Sequence, residues 1–160
     1  MVLPVTTPLG PGILKIGTTG TEIDLSCYVN SCTIQADKNQ GDSTTKLCGD
    51  VKPGAVTYDY HMAGNMDLDV DTAAGFFALS QEEAGSIQSY EFTPHTDTGT
   101  KAVGELVVDP LDFGGDTTGE AMTSDFDFAL VGQPTYTYGT TPLAAGEEDQ
   151  EAQPGQEAVA

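Results

Sequence analysis

The sequence predicts a mainly β domain carrying one helix, and three observations lead there. Apolar and polar residues alternate with period two in several short runs, as they do along a strand with one covered face. Glycine and proline, 19 and 9 of the 160 residues, separate these runs, and Val, Thr, Tyr and Phe recur inside them. One stretch alone has helical spacing. A chain of 160 residues, 38% of them hydrophobic, has room for one domain around one core.

Residues 1–12 contain Pro4, Pro8 and Pro11 and read as an extended arm, because proline fixes φ and donates no N–H. A strand follows at Ile13–Ile16, and Gly17 to Gly20 turn the chain. Strand regions are predicted at Ile23–Tyr28 and Val29–Ala36; in the latter, Cys32, Ile34 and Ala36 alternate with Ser31, Thr33, Gln35 and Asp37. Residues 37–54 are polar and read as a long connection, of a length that usually carries function or lacks order. Val56, Tyr58, Tyr60 and Met62 then alternate with Thr57, Asp59, His61 and Ala63. Gly64-Asn65 interrupts, and Met66, Leu68 and Val70 resume against Asp67, Asp69 and Asp71.

The helix is expected to start at Asp71 or Thr72, whose short side chains can accept a free backbone N–H, and to stop at Gly85. Ala73, Phe76, Phe77, Ser80 and Ala84 supply its spacing, while Glu82 and Glu83 oppose its dipole slightly. Strands are predicted again at Ile87–Thr93, Ala102–Val108 and Ser124–Val131, the last two separated by a turn-rich loop from Pro110 to Asp116. A short strand around Tyr136 and Tyr138 closes a domain spanning 13–138. Residues 139–160 are acidic, poor in large apolar side chains and interrupted by Pro142 and Pro154; they are expected to form a disordered tail, unable to offset their ordering entropy.

Charge narrows the function. There are 25 acidic residues against 5 basic ones, all of them lysine, for a net charge of -20. Gripping a phosphate backbone requires a basic footprint, so tight nucleic-acid binding is excluded, and an anionic membrane surface is an equally poor partner. The N-terminus has neither the positive charge nor the apolar core of a signal peptide, and no run is long enough to span a bilayer. Cys27, Cys32 and Cys48 have no metal-type spacing and read as buried free thiols of a protein made in a reducing cytoplasm.

No catalytic or metal constellation emerges. Asp67-Leu68-Asp69-Val70-Asp71 resembles the start of a calcium loop, but Thr72 and Ala78 occupy the positions where an EF-hand needs Gly and Glu. On a strand, these carboxylates would instead line a solvated face. His61 and His95 have no nucleophile motif nearby, no Gly-x-Ser-x-Gly occurs, and the glycine-rich pieces lack the Lys-Ser/Thr of a phosphate loop. No catalytic residue, cofactor or metal is therefore expected.

The order of segments resembles the major tail tube proteins of long-tailed, siphovirus-type bacteriophages, particularly those of actinobacterial hosts. The resemblance rests on Ile13–Ile16, Asp24-Leu25-Ser26-Cys27 leading into Val29–Ala36, Thr44 to Gly49, Tyr58 to Val70 and Phe76-Phe77-Ala78-Leu79. It continues through Tyr90-Glu91-Phe92-Thr93-Pro94, Pro110 to Asp116, and Ser124 to Pro134 (SDFDFALVGQP). It implies a β-sandwich or barrel with one flanking α-helix, whose inner sheets merge into a continuous barrel within a hexameric ring. Stacked rings would form the conduit for DNA ejection, with the tape measure protein inside and tail terminator and tail tip proteins at the ends. The location implied is the virion tail, after synthesis in the host cytoplasm.

An acidic lumen suits such a conduit, since a ring would carry roughly 120 negative charges and the genome is itself a dense polyanion. The polar sides of the strands are the candidates to face it: Thr33, Gln35, Asp37, Thr57, Asp59, Glu91, Asp125 and Asp127. Contacts between rings are expected from the arm and the 37–54 loop, at Pro4, Pro8, Asn39, Thr44, Thr45 and Lys46. The competing readings are a monomeric Ig-like β-sandwich that decorates a virion or cell surface, and a small calcium-dependent hydrolase resting on Asp67–Asp71 alone.

Overall fold

The computed structural model describes residues 6–139; Pro4 and the tail beyond Gly139 lie outside them. The chain runs β1 (Ile13–Ile16), β2 (Ile23–Asp24), β3 (Val29–Gln40), β4 (Thr44–Thr45), β5 (Val51–Lys52), β6 (Val56–Asp67), α1 (Phe76–Glu82), β7 (Ile87–Thr93), β8 (Lys101–Val107), β9 (Thr123–Ala129) and β10 (Thr135–Thr137), with a 3₁₀ turn at Thr96–Thr98. The described residues are thus mainly β with one α-helix.

Two antiparallel sheets enclose the core. One has the order β10-β8-β7-β1-β2, the other β3-β6-β9. Leu14, Ile16, Tyr90, Phe92, Ala102 and Leu106 project inward from the first, and Cys32, Met62, Met66, Phe126 and Phe128 from the second. Along β9 the pattern is strictly alternating: Ser124, Phe126 and Phe128 are buried while Asp125 and Asp127 are exposed. A bridge between Leu106 and Leu130, with the Val131 amide donating to the Glu105 carbonyl at 2.8 Å, joins the sheets along one side. The sheets are otherwise open, and β3 forms a long free margin.

Helix α1 covers one end of the core. Phe76 meets Phe128 edge to face with centroids 5.9 Å apart, a favourable aromatic geometry. Ser80 is fully buried yet satisfied: its hydroxyl donates to the Phe77 carbonyl and accepts from the Leu111 amide. The helix begins later than the sequence predicts. Asp71 and Thr72 do not cap it; the chain first turns, the Gly75 amide donating to the Thr72 carbonyl, and Gly75 takes the cap position without a side-chain bond. The buried Phe76 sets the start, where packing outweighs capping preference.

The largest departure lies in residues 37–54. Instead of an irregular connection, β3 continues to Gln40 and pairs with β6 in register down to Gln40 opposite Val56. A small ribbon, β4–β5, caps the end, with Thr44 opposite Lys52 and Thr45 opposite Val51. β3 and β6 thus form a hairpin of 12 residues per strand. Gly64 does not interrupt it, because Met62, Gly64 and Met66 share one face. A Cβ at Gly64 would overlap the Ser31 carbonyl and press on the Phe126 ring, so the missing side chain lets the strands approach.

Smaller corrections follow from the same packing. β6 ends at Asp67, where the Leu68 amide turns to the Met122 carbonyl, so Asp67, Asp69 and Asp71 do not line one strand face. β2 holds only Ile23 and Asp24, and the following residues form a turn in which Asp24 accepts from the backbone of Ser26. That turn exposes Cys27, and Cys48 is exposed at the hairpin end; Cys32 alone of the three thiols is buried. The arm is tied down at its end, with Gly10 donating to Pro94 and Thr96 to Pro11. No described helix is long and apolar enough to cross a membrane.

Candidate functional site

The outer face of the β3-β6-β9 sheet gathers most of the polar residues singled out by alternation. Residues directly opposite each other in an antiparallel pair project to the same side. Thr33 lies opposite Ala63, Gln35 opposite His61, Asp37 opposite Asp59 and Asn39 opposite Thr57. Across the other margin of β6, Ala63 faces Asp127, Asn65 faces Asp125 and Asp67 faces Thr123. Thr33, Gln35, Asp37, Thr57, Asp59, Asp125 and Asp127 therefore share one surface. Glu91 stands apart: it belongs to β7 in the other sheet, where it pairs with Lys101 at 3.3 Å.

Five carboxylates, Asp37, Asp59, Asp67, Asp125 and Asp127, occupy this surface, and none of the five lysines does, since Lys38 falls on the opposite side of β3. Like charges directly opposite on neighbouring strands repel, as at Asp37 and Asp59. Amides relieve the repulsion. Asn39 donates to Asp59 at 2.6 Å, Asn65 to Asp125 at 2.8 Å and Asn30 to Asp67 at 2.9 Å. His61 holds Asp127, with Nδ1 at 2.7 Å, while its Nε2 lies 3.6 Å from Asp37 and makes no hydrogen bond. An amide donor holds a carboxylate in place without cancelling its charge, so the face is ordered and still acidic.

Sequence spacing could not reveal the His61–Asp127 contact, which joins residues 66 positions apart. Among the described residues the groups nearest the His61 ring nitrogens are the carboxylates of Asp127 and Asp37. His95 is used locally, its Nδ1 accepting from the Asp97 amide. Among the described residues no group of three or more His, Cys, Asp or Glu side chains is placed to hold a metal ion.

The second feature is the far half of the hairpin. On the inner side of the sheet, Met62 and Phe128 are buried, but beyond them Ala36, Val56 and Tyr58 are exposed and Tyr60 is only half-buried. At the end, Leu47 is completely exposed and Val51 largely so. Of the ring-contact candidates within the described residues, Asn39, Thr44, Thr45 and Lys46 all lie exposed on this projecting half, and Pro8 is exposed on the arm. The projecting half thus carries Val56 and Tyr58 along β6, which the other described residues leave bare, with Lys38 and Gln40 opposite them on β3.

No family model and no curated protein matches the sequence. The solved structures that share its fold include two from gene transfer agent particles. One is a chain in the tail of an empty gene transfer agent particle, obtained by helical refinement with C6 symmetry: TM-score 0.57, 18% identity, covering 78% of this chain and 94% of that one. The other comes from the virion of a native gene transfer agent particle: TM-score 0.54, 17% identity, covering 78% of this chain and 95% of that one.

Proposed function

We propose that this chain is a structural, non-catalytic subunit of a phage-type tail. Copies join through their open sheet margins into a hexameric ring, and rings stack into a tube through which DNA is ejected. Closing a ring removes exposed strand margins and adds an interface in the same step. Terminator and tip proteins close the ends of the tube and a tape measure protein occupies it during assembly.

One observation carries this reading. A fold shared with a tail chain arranged with C6 symmetry presents an ordered sheet face that is acidic and free of lysine. Turned toward the channel, Thr33, Gln35, Asp37, Thr57, Asp59, Asp125 and Asp127 form a lining that phosphates do not adhere to. At physiological salt the repulsion reaches only about 8 Å, so it acts on a duplex at the wall while leaving one on the axis undisturbed.

Negative-stain electron microscopy of the concentrated protein is the test, with open-centred rings and stacked tubes as the expected images. Separate single subunits at every concentration would reject the proposal. A density map of the tube with these carboxylates at the seams between subunits would reject the lining alone.

A further inference from the structure

We propose that the β4–β5 tip of one copy docks into a groove between β6 and α1 of a second copy, joining subunits head to tail. The inference rests on the stacking reading above and specifies the contact that stacking uses.

Charge is sharply segregated along the chain. Residues 38–54 contain Lys38, Lys46 and Lys52 against Asp42 and Asp50, a net +1, which leaves -21 on the other residues to reach the total of -20. Within the β4–β5 tip itself, residues 44–52, Lys46 and Lys52 stand against Asp50 alone, a net +1 in an otherwise acidic protein, and the tip also exposes Leu47 and Val51. Two strands of two residues each, with an aliphatic side chain bare in water, gain little from folding alone. Such a tip gains most from a surface that is apolar at its centre and acidic at its rim.

The described residues form one such surface. A cavity of about 190 Å³ opens where β6 ends and α1 begins, with half-buried Ile23, Leu68 and Phe77 in its walls and Asp24, Asp67 and Asp69 around it. Leu47 fits the apolar interior, while Lys46 and Lys52 reach the carboxylates at the rim. Asp24 is suited to such a role: hydrogen bonds from the Ser26 side chain and backbone hold its pKa below the usual carboxylate value, so it stays charged.

Position within the fold decides the partner. The groove is at the base of the β3–β6 hairpin and the tip is at its far end, separated by 12-residue strands that span roughly 36 Å at about 3.3 Å per residue. The tip of a molecule cannot reach its own groove, so a second copy must supply it. Complementary patches at opposite ends of one element make a heterologous contact, which propagates in one direction and does not close on a pair. Stacked rings require such a contact.

The test uses the full chain in a Cys27→Ser background, with the native Cys48 at the tip and Thr72→Cys at the groove. A mild oxidant such as copper–phenanthroline takes two electrons and two protons from the paired thiols, and disulfide-linked multimers are expected. Lys46→Glu with Lys52→Glu should lower the cross-linked fraction, and raise the concentration needed for stacking, by about tenfold. Adding Asp67→Lys and Asp69→Lys should restore both, and circular dichroism checks that every variant is folded. Cross-linking that ignores the tip charges, or reversals that fail to compensate, would overturn the docking. If wild-type protein forms tubes and the tip variants form them equally well, the docking falls and the tail reading stands. If the cross-links form as expected but no rings or tubes ever appear, the tail reading falls and the docking stands.

Discussion

The two halves of the β3–β6 hairpin share one sequence pattern and differ in what covers them. In the near half, Cys32, Met62 and Met66 alternate with polar residues and are buried against the other sheet. In the far half, Tyr58 and Val56 keep the alternation along β6 while Lys38 and Gln40 follow Ala36 on the same side of β3, and that side meets solvent. Period-two alternation therefore reports that a strand has an apolar side, and not whether the same chain covers it. A monomer gains nothing from the far strip, whereas an assembly gains an interface.

Four substitutions or modifications separate the halves. Phe128→Ala removes a ring at the centre of the covered half and is expected to lower unfolding free energy by about 3–5 kcal/mol in a denaturant melt. Gly64→Ala, also in the covered half, should lose about 1–3 kcal/mol, because the added methyl meets the Ser31 carbonyl and the Phe126 ring. An unchanged melt would mean that the strands can separate there at no cost. Tyr58→Ala, in the bare half, should shift monomer stability by no more than about 0.5 kcal/mol while impairing assembly measured by sedimentation. A large loss of stability would show that the far half is packed after all.

The smallest effect is chemical. Burial pushes the Cys32 thiol up to about 12, so the folded protein at pH 8 should resist iodoacetamide there while the exposed Cys27 and Cys48 react. Because the thiolate is the reactive form, labelling of Cys32 at neutral pH would report opening of the near half. Mass spectrometry of the alkylated peptides distinguishes the three sites.

Much of this was legible in the residues. Strand β7 occupies Ile87–Thr93 as alternation predicts, and parity alone brought seven of the polar candidates to one face. Glu91 shows the limit: alternation gives the side of a strand but not the sheet to which the strand belongs. The extension of β3 through Lys38-Asn39-Gln40 was hidden because these residues are polar on both sides, and their pairing comes from Tyr58, Thr57 and Val56 across the hairpin. The amide and imidazole partners of the carboxylates were equally hidden, since register, which sequence spacing does not reveal, brings them together.

The proposed assembly requires above all that sister copies cover the far half of the hairpin. Hydrogen exchange of the backbone amides in Gln35–Gln40 and Val56–Tyr60, compared between dilute monomer and the assembled form, addresses it directly. Strong additional protection in these two segments on assembly, with little change in β7 and β8, is the expected result. Equal exchange in the two forms would contradict it.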